Sequence, residues 1–215
     1  MFAFRSDSLE SAHLGERAWF HRGVTVSIRR LSGPEFVLLA PDLVDIYLSA
    51  MGYNPEIRMQ RIAVWRREIV WPGFTAVVAV EVDGGEERIV GIAYGFLGSR
   101  DRWWDQQLLQ GLRRHGGPTT QHREMMNNYF EVAEVHVDPS RQGAGIGRSL
   151  LTELLWNAPA RWALLSTPEV PNESNNAFGL YRKLGFADIL RDFLYTGDAR
   201  PFAILGRELP LDPAG

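Results

Sequence analysis

The chain has 215 residues, 45% hydrophobic and 23% charged, the composition of a globular protein with room for one domain and an appendage. Its longest strongly apolar run, residues 74–80, is far short of the roughly 20 residues that cross a bilayer. The first twenty residues carry Arg5, Asp7, Glu10, Glu16 and Arg17 where a secretory leader is apolar, so a cytoplasmic protein with no membrane partner is expected. The absence of cysteine excludes disulfides, thiolate metal sites and thiol nucleophiles, and a net charge of −3 gives no field for nucleic acid. Lys183 is the single lysine among 23 basic residues, a bias of codon usage in a GC-rich bacterial genome rather than of function.

In chain order, residues 1–22 mix aromatics and charges without a period and are left as an arm of uncertain structure. Residues 23–215 are expected to form a single domain. Val24, Val26 and Ile28 alternate with polar residues as in a half-buried strand. Pro41 and Asp42 open a helix carrying Leu43, Ile46, Tyr47 and Ala50, which Gly52 closes. A second helix runs from Pro55 to near Trp71-Pro72. Residues 74–82 and 88–97 are β-rich segments flanking Asp83-Gly84-Gly85, the pattern of an antiparallel hairpin.

Residues 99–127 form an insert of 29 residues, where a hairpin connection takes roughly 2–5, and are expected to hold a short helix. Residues 129–137 are the next strand, stopped by Asp138-Pro139. Leu150, Leu151, Leu154 and Leu155 mark one face of a helix, followed by a strand at 162–166, a helix at 177–184 and strands near 187–195 and 202–208. The order β-αα-ββ-insert-β-α-β-α-ββ predicts a mixed α/β sandwich.

The chemistry is concentrated at residues 135–151. A strand runs through Gln142-Gly143-Ala144-Gly145-Ile146-Gly147-Arg148 directly into an amphipathic helix, so unpaired N–H groups and the positive helix end converge where an anion would sit. A P-loop requires a lysine after the last glycine, and Arg148-Ser149 stands there instead. A dinucleotide fingerprint requires G-x-G-x-x-G; this is G-x-G-x-G, and too little chain follows it.

Gln142-Gly143-Ala144-Gly145-Ile146-Gly147 resembles the Q/R-x-x-G-x-G/A element of the GNAT superfamily of acyl-CoA-dependent N-acyltransferases. Residues 177–186, Ala-Phe-Gly-Leu-Tyr-Arg-Lys-Leu-Gly-Phe, resemble its A-x-x-L-Y-x-x-x-G-F helix. The two elements in this order extend the resemblance over about residues 24–209. It implies a mixed, mostly antiparallel central sheet with helices on both faces and splayed central strands. It implies acetyl-CoA or another acyl-CoA as co-substrate, no metal, and transfer of the acyl group to a primary amine of a small molecule or protein by direct attack in a ternary complex. A non-catalytic acyl-CoA sensor on the same fold is the alternative, and a homodimer is compatible with either.

Carried over by resemblance, Val135, His136 and Val137 lie along the pantetheine arm and residues Gln142, Gly143, Ala144, Gly145, Ile146, Gly147 and Arg148 hold the diphosphate. Where the family often has an asparagine seven residues before the tyrosine, this chain has Ser174, next to Asn175; the serine can cap the helix or donate to the pantetheine arm. Tyr181 is the expected general acid. Glu131 and Glu134 are the candidate bases, with His136 a third; on a regular strand the two glutamates face opposite ways, so both reach one site only across a bulge. Trp103, Trp104 and Leu108 of the insert are expected to line an acceptor pocket, close a dimer or patch the core, and Asp101 and Asp105 are read as exposed loop carboxylates.

Overall fold

The computed structural model describes residues 18–21 and 24–211; the remainder of the N-terminal arm lies outside the described residues. Eight strands form one sheet: β1 (Ala18–His21), β2 (Val24–Leu31), β3 (Thr75–Asp83), β4 (Glu86–Leu97), β5 (Tyr129–Val137), β6 (Trp162–Pro168), β7 (Ala187–Leu194) and β8 (Pro201–Glu208). Their spatial order is β1-β2-β3-β4-β5-β6-β8-β7. Every neighbouring pair is antiparallel except β5 and β6. That one parallel pair requires a crossover, which helix α5 (Ile146–Leu155) supplies.

Helices cover both faces. On one lie α1 (Gly33–Met51) and α2 (Arg58–Glu68), which pack Phe36, Leu43 and Trp65 onto Val78, Ile92 and Tyr94. The same face, at the β6-β8-β7 end, carries α3 (Trp103–Arg114) and α4 (Thr120–Asn127); Leu108, Leu112 and Met125 cover Leu164, Leu190 and Ile204. On the opposite face α5 and α6 (Asn176–Lys183) bury Leu150, Leu151, Leu154 and Phe178 against Val77, Ala93 and Leu165. Among the described residues no helix is long and apolar enough to cross a membrane.

Strand β1 lies in the stretch left as an arm, and two helical regions also differ from the sequence expectation. Helix α1 starts eight residues before Pro41, at Gly33, behind a capping box in which Ser32 Oγ accepts from the Glu35 N–H while Glu35 accepts from the Ser32 N–H at 2.8 Å. Pro41 thus lies inside a helix, where a proline leaves the carbonyl four residues earlier without its donor. That carbonyl, on Val37, accepts from Arg66 Nε of α2 at 3.0 Å, so the lost bond is replaced across the helix pair. The insert holds two helices rather than one, the second started by a Thr119 cap on the His122 N–H.

The feature that makes the site is the way β5 and β6 part. They pair only through Tyr129 with Trp162, Phe130 with Ala163 and Glu131 with Leu164, and from Val132 onward β5 has no strand partner on that side. On its other side β5 stays paired with β4 to Val137, but the register skips Ala133: Tyr94 opposes Glu134 and Gly95 opposes Val132. This is a β-bulge, and Gly95 is what permits it, because a Cβ there would collide with the Glu131 carbonyl and the Phe130 ring.

Candidate active site

The bulge decides which side chains meet. It turns Glu131 and Glu134 to the same face of the sheet, the face carrying Tyr94 and Phe96, so the opposed orientations expected of a regular strand do not apply. Both glutamates line a cavity of about 690 Å³, within the usual range for a small-molecule site. Its walls come from α1 and α2 (Tyr47, Arg61, Glu68), the insert (Arg102, Trp103, Trp104) and β5 (Glu131, Glu134, His136). It passes between the splayed strands at Ser166 and Thr167 to reach Ala177 and Tyr181 of α6.

Glu131 is buried, and burial pushes its carboxyl up to about 8; Arg102 opposes that rise, while Glu68, Asp105 and Glu134 add to it. Its Oε2 lies 3.1 Å from Arg102 Nη2 yet receives no aligned hydrogen bond. Glu134 Oε2 is 2.6 Å from His136 Nε2, with the ring donating, and the His136 ring stands edge-on to Tyr47 at 5.0 Å. His136 is therefore engaged with a carboxylate and an aromatic wall. Glu68 accepts from Tyr94 Oη at 2.6 Å, and burial raises both groups. Tyr181 is buried with its hydroxyl pushed up to about 12, first by burial and then by Glu134, so it keeps its proton at neutral pH.

At the other end of the slot, residues 142–148 have the geometry of an anion cradle. Gly143 and Gly145 hold φ values of +81° and +83°, and a Cβ on either would meet no protein atom within 4 Å. Backbone conformation and the open space before the loop, not packing, call for glycine there. No side chain caps the start of α5 and no acidic residue stands in its first turn, so the leading N–H groups face outward. The loop is fixed from behind by the Arg141–Glu81 ion pair and by Gln142 Nε2 donating to the Val137 carbonyl at 3.2 Å.

A family profile for the acetyltransferase (GNAT) domain matches residues 72–188, a span that takes in the loop, α5, the splayed strands and α6. The chain belongs to the GNAT acetyltransferase family. A GCN5-like protein acetyltransferase of Mycobacterium tuberculosis is 39% identical over 188 residues, covering 79% of this chain and 91% of that protein. A GNAT-family acetyltransferase structure from Desulfovibrio desulfuricans superposes with a TM-score of 0.54 at 20% identity, over 85% of this chain and 98% of that one. An acetyltransferase of Salmonella typhimurium, solved with acetyl-CoA, gives 0.52 at 18% identity, over 88% and 96%.

Within this GNAT frame several expected residues take different places. Asn175, not Ser174, caps α6: its Oδ1 accepts from the Phe178 N–H at 2.8 Å, while Ser174 is exposed beside it. Asp105 is not an exposed loop carboxylate; it is buried in α3, accepts from Tyr129 Oη at 3.0 Å, and burial raises it. Leu108 belongs to the core under α3 rather than to the cavity. Trp103 and Trp104 do wall the cavity, Trp103 stacked on Tyr195 at 5.3 Å and Trp104 donating to Tyr195 Oη at 2.8 Å. Sequence reading missed Arg102, Glu68 and Tyr94, which no motif marks. Among the described residues no group of three or more His, Asp or Glu side chains is placed to hold a metal ion.

Proposed function

We propose that this protein is an acetyl-CoA-dependent N-acetyltransferase acting on a primary amine, with Glu131 as general base and Tyr181 as general acid. The observation that carries this reading is that one cavity, threaded through the strand splay, presents a buried, unbonded carboxylate oxygen at one side and a protonated tyrosine at the other. The relative from Mycobacterium tuberculosis, a protein acetyltransferase by name, favours an amine carried by a protein over a free small molecule.

The residues present fit acyl-CoA. The N–H groups of Gly143 to Arg148 would hold the diphosphate. The unpaired edge of β5 at Val135, His136 and Val137 would hold the pantetheine amides, with Ser174 and Asn175 as further candidates at the start of α6. When bound, acetyl-CoA supplies an acyl group activated as a thioester and a thiol as leaving group. An amine attacks only when neutral, and Glu131 takes the ammonium proton. A carboxyl near 8 stands closer to an alkylammonium near 10.4 than an ordinary glutamate near 4.3 does, which eases that transfer. Tyr181 gives a proton to the departing sulfur. The net change is ammonium to amide with release of one thiol and one proton.

Glu134, hydrogen-bonded to His136 on the cavity wall, is placed to orient the incoming amine. The test is amine-dependent release of CoA thiol by the wild type, Glu131→Gln and Glu134→Gln. The proposal expects turnover to collapse in Glu131→Gln and to persist, with a raised acceptor KM, in Glu134→Gln. Acetyl-CoA binding without turnover on any amine or peptide would favour a sensor instead.

A further inference from the structure

The base proposed above is held by a side chain that the insert contributes. Arg102 is the N-cap residue of α3, and its guanidinium carbon lies 3.7 Å from the centroid of the Phe96 ring and 5.0 Å from that of Trp71. Phe96 is the cross-strand partner of Glu131, so ring and carboxylate stand side by side on one face of the sheet. The guanidinium on that ring therefore comes edge-on to the carboxylate, Nη2 to Oε2 at 3.1 Å, while Nη1 reaches the Leu97 carbonyl at 3.5 Å. Both side chains are about nine-tenths buried, at 11% and 10% exposure. Among the described residues Arg102 is the one cation within ion-pair distance of Glu131.

The other groups around Glu131 work against its charge. Glu68 approaches from α2, Asp105 from α3 and Glu134 from the same strand, and Tyr129 and Tyr195 each feel its charge. Arg100 is committed to Asp105 and Asn127, Arg61 lies over Tyr47, and His136 is held by Glu134. Three neighbouring carboxyls and burial all favour the neutral form of Glu131, which is a far weaker base than the carboxylate. A fork-on bidentate arginine would fail in the other direction, by occupying both oxygens and lowering basicity.

We propose, resting on the assignment of Glu131 as base, that Arg102 is a positioning residue for the reaction: clamped on Phe96, it favours the ionised form of Glu131 while leaving its oxygen open to the acceptor's proton. The contact at 3.1 Å without an aligned hydrogen bond is the geometry this requires. The insert is then part of the chemical machinery as well as a wall of the acceptor pocket.

The experiment is a pH titration of the ligand-free full chain labelled with carboxyl-13C glutamate, the Glu131 resonance being assigned by its loss in Glu131→Gln. Arg102→Met should move the Glu131 midpoint upward by at least about one unit, and Arg102→Lys, which keeps a charge, should leave it near the wild type. Below both midpoints each unit removes about tenfold of the ionised base, so kcat/KM of the Met variant at pH 7 should fall at least about tenfold and recover above pH 9. Arg102→Gln, which keeps a polar group for the Leu97 carbonyl, replaces the Met variant if that one does not fold. A midpoint that does not move, or a rate loss equal at every pH, would overturn the proposal and leave Arg102 a structural strut. Full activity of Glu131→Gln would instead sink the base assignment, whatever the titration shows.

Discussion

The two ends of the slot are built by opposite strategies. At the loop end, the proposed function would rest on backbone: six consecutive residues, Gly143 to Arg148, carry N–H groups whose direction follows from two positive-φ glycines and the start of one helix. At the proposed acceptor end it would rest on side chains from α1, α2, β4, the insert and β5, no two of them adjacent in the chain except along β5 and across Asp101 to Trp104. A backbone device is local and therefore written in one stretch of sequence. A convergent device exists only once the fold has closed, and its members carry no motif.

This difference can be broken open by substitution. The largest separation is expected between Gly145→Val and Glu131→Gln. Valine at φ +83° is strained and fills the open space before the loop, so acetyl-CoA should no longer raise the melting temperature, as a ligand bound to the native state otherwise does. Glu131→Gln should keep that thermal shift while kcat falls by roughly 10²- to 10⁴-fold, the usual worth of a positioned base. If Glu131→Gln lost binding and kept kcat, the two ends would not be separable in this way.

Tyr181 sits where the ends join, and Tyr181→Phe is expected to lower kcat by roughly ten- to a thousandfold with acetyl-CoA affinity unchanged, read by single-turnover kinetics. Trp103→Ala should raise the acceptor KM by a few fold, since an indole 55% exposed and stacked on Tyr195 at the cavity wall contributes contact and not chemistry. Equal loss of acetyl-CoA affinity in that variant would place the insert at the cofactor end.

The smallest expected effect concerns stability. Glu131 binds its proton more tightly in the native state, near 8, than in the unfolded chain, near 4.5, so the stability it lends is complete below about pH 4.5 and is lost as pH rises through 8. Glutamine has no such dependence. Glu131→Gln should therefore melt a few degrees above the wild type at pH 8.5 and differ less at pH 5, as calorimetry at the two pH values would read.

What the sequence disclosed follows the same division. The β3–β4 hairpin, the bounds of β5 and the α5 and α6 helices are legible because alternation, turn residues and apolar stripes are short-range signals. The start of α1 was legible too, in Ser32-Gly33-Pro34-Glu35, but Pro41 drew the boundary inward because the Arg66 contact that lets a proline stay in that helix is 25 residues away. Strand β1 lies in a stretch without alternation and pairs with β2, a contact that no local pattern announces. Glu131 and Glu134 could be named from the family resemblance, yet whether both face one site depended on a bulge whose enabling residue, Gly95, is on another strand. Arg102 was invisible, one arginine among many, until Phe96 and Glu131 were brought beside it.

The most direct test is an experimental structure of the full chain with acetyl-CoA. The diphosphate is expected within hydrogen-bond distance of the N–H groups of Gly143 to Arg148, the pantetheine arm against β5 at Val135 to Val137, the sulfur beside Tyr181 Oη, and the acetyl group opening into the cavity that holds Glu131. A cofactor bound outside the β5–β6 splay, or one whose acetyl group is walled off from Glu131, would contradict the account.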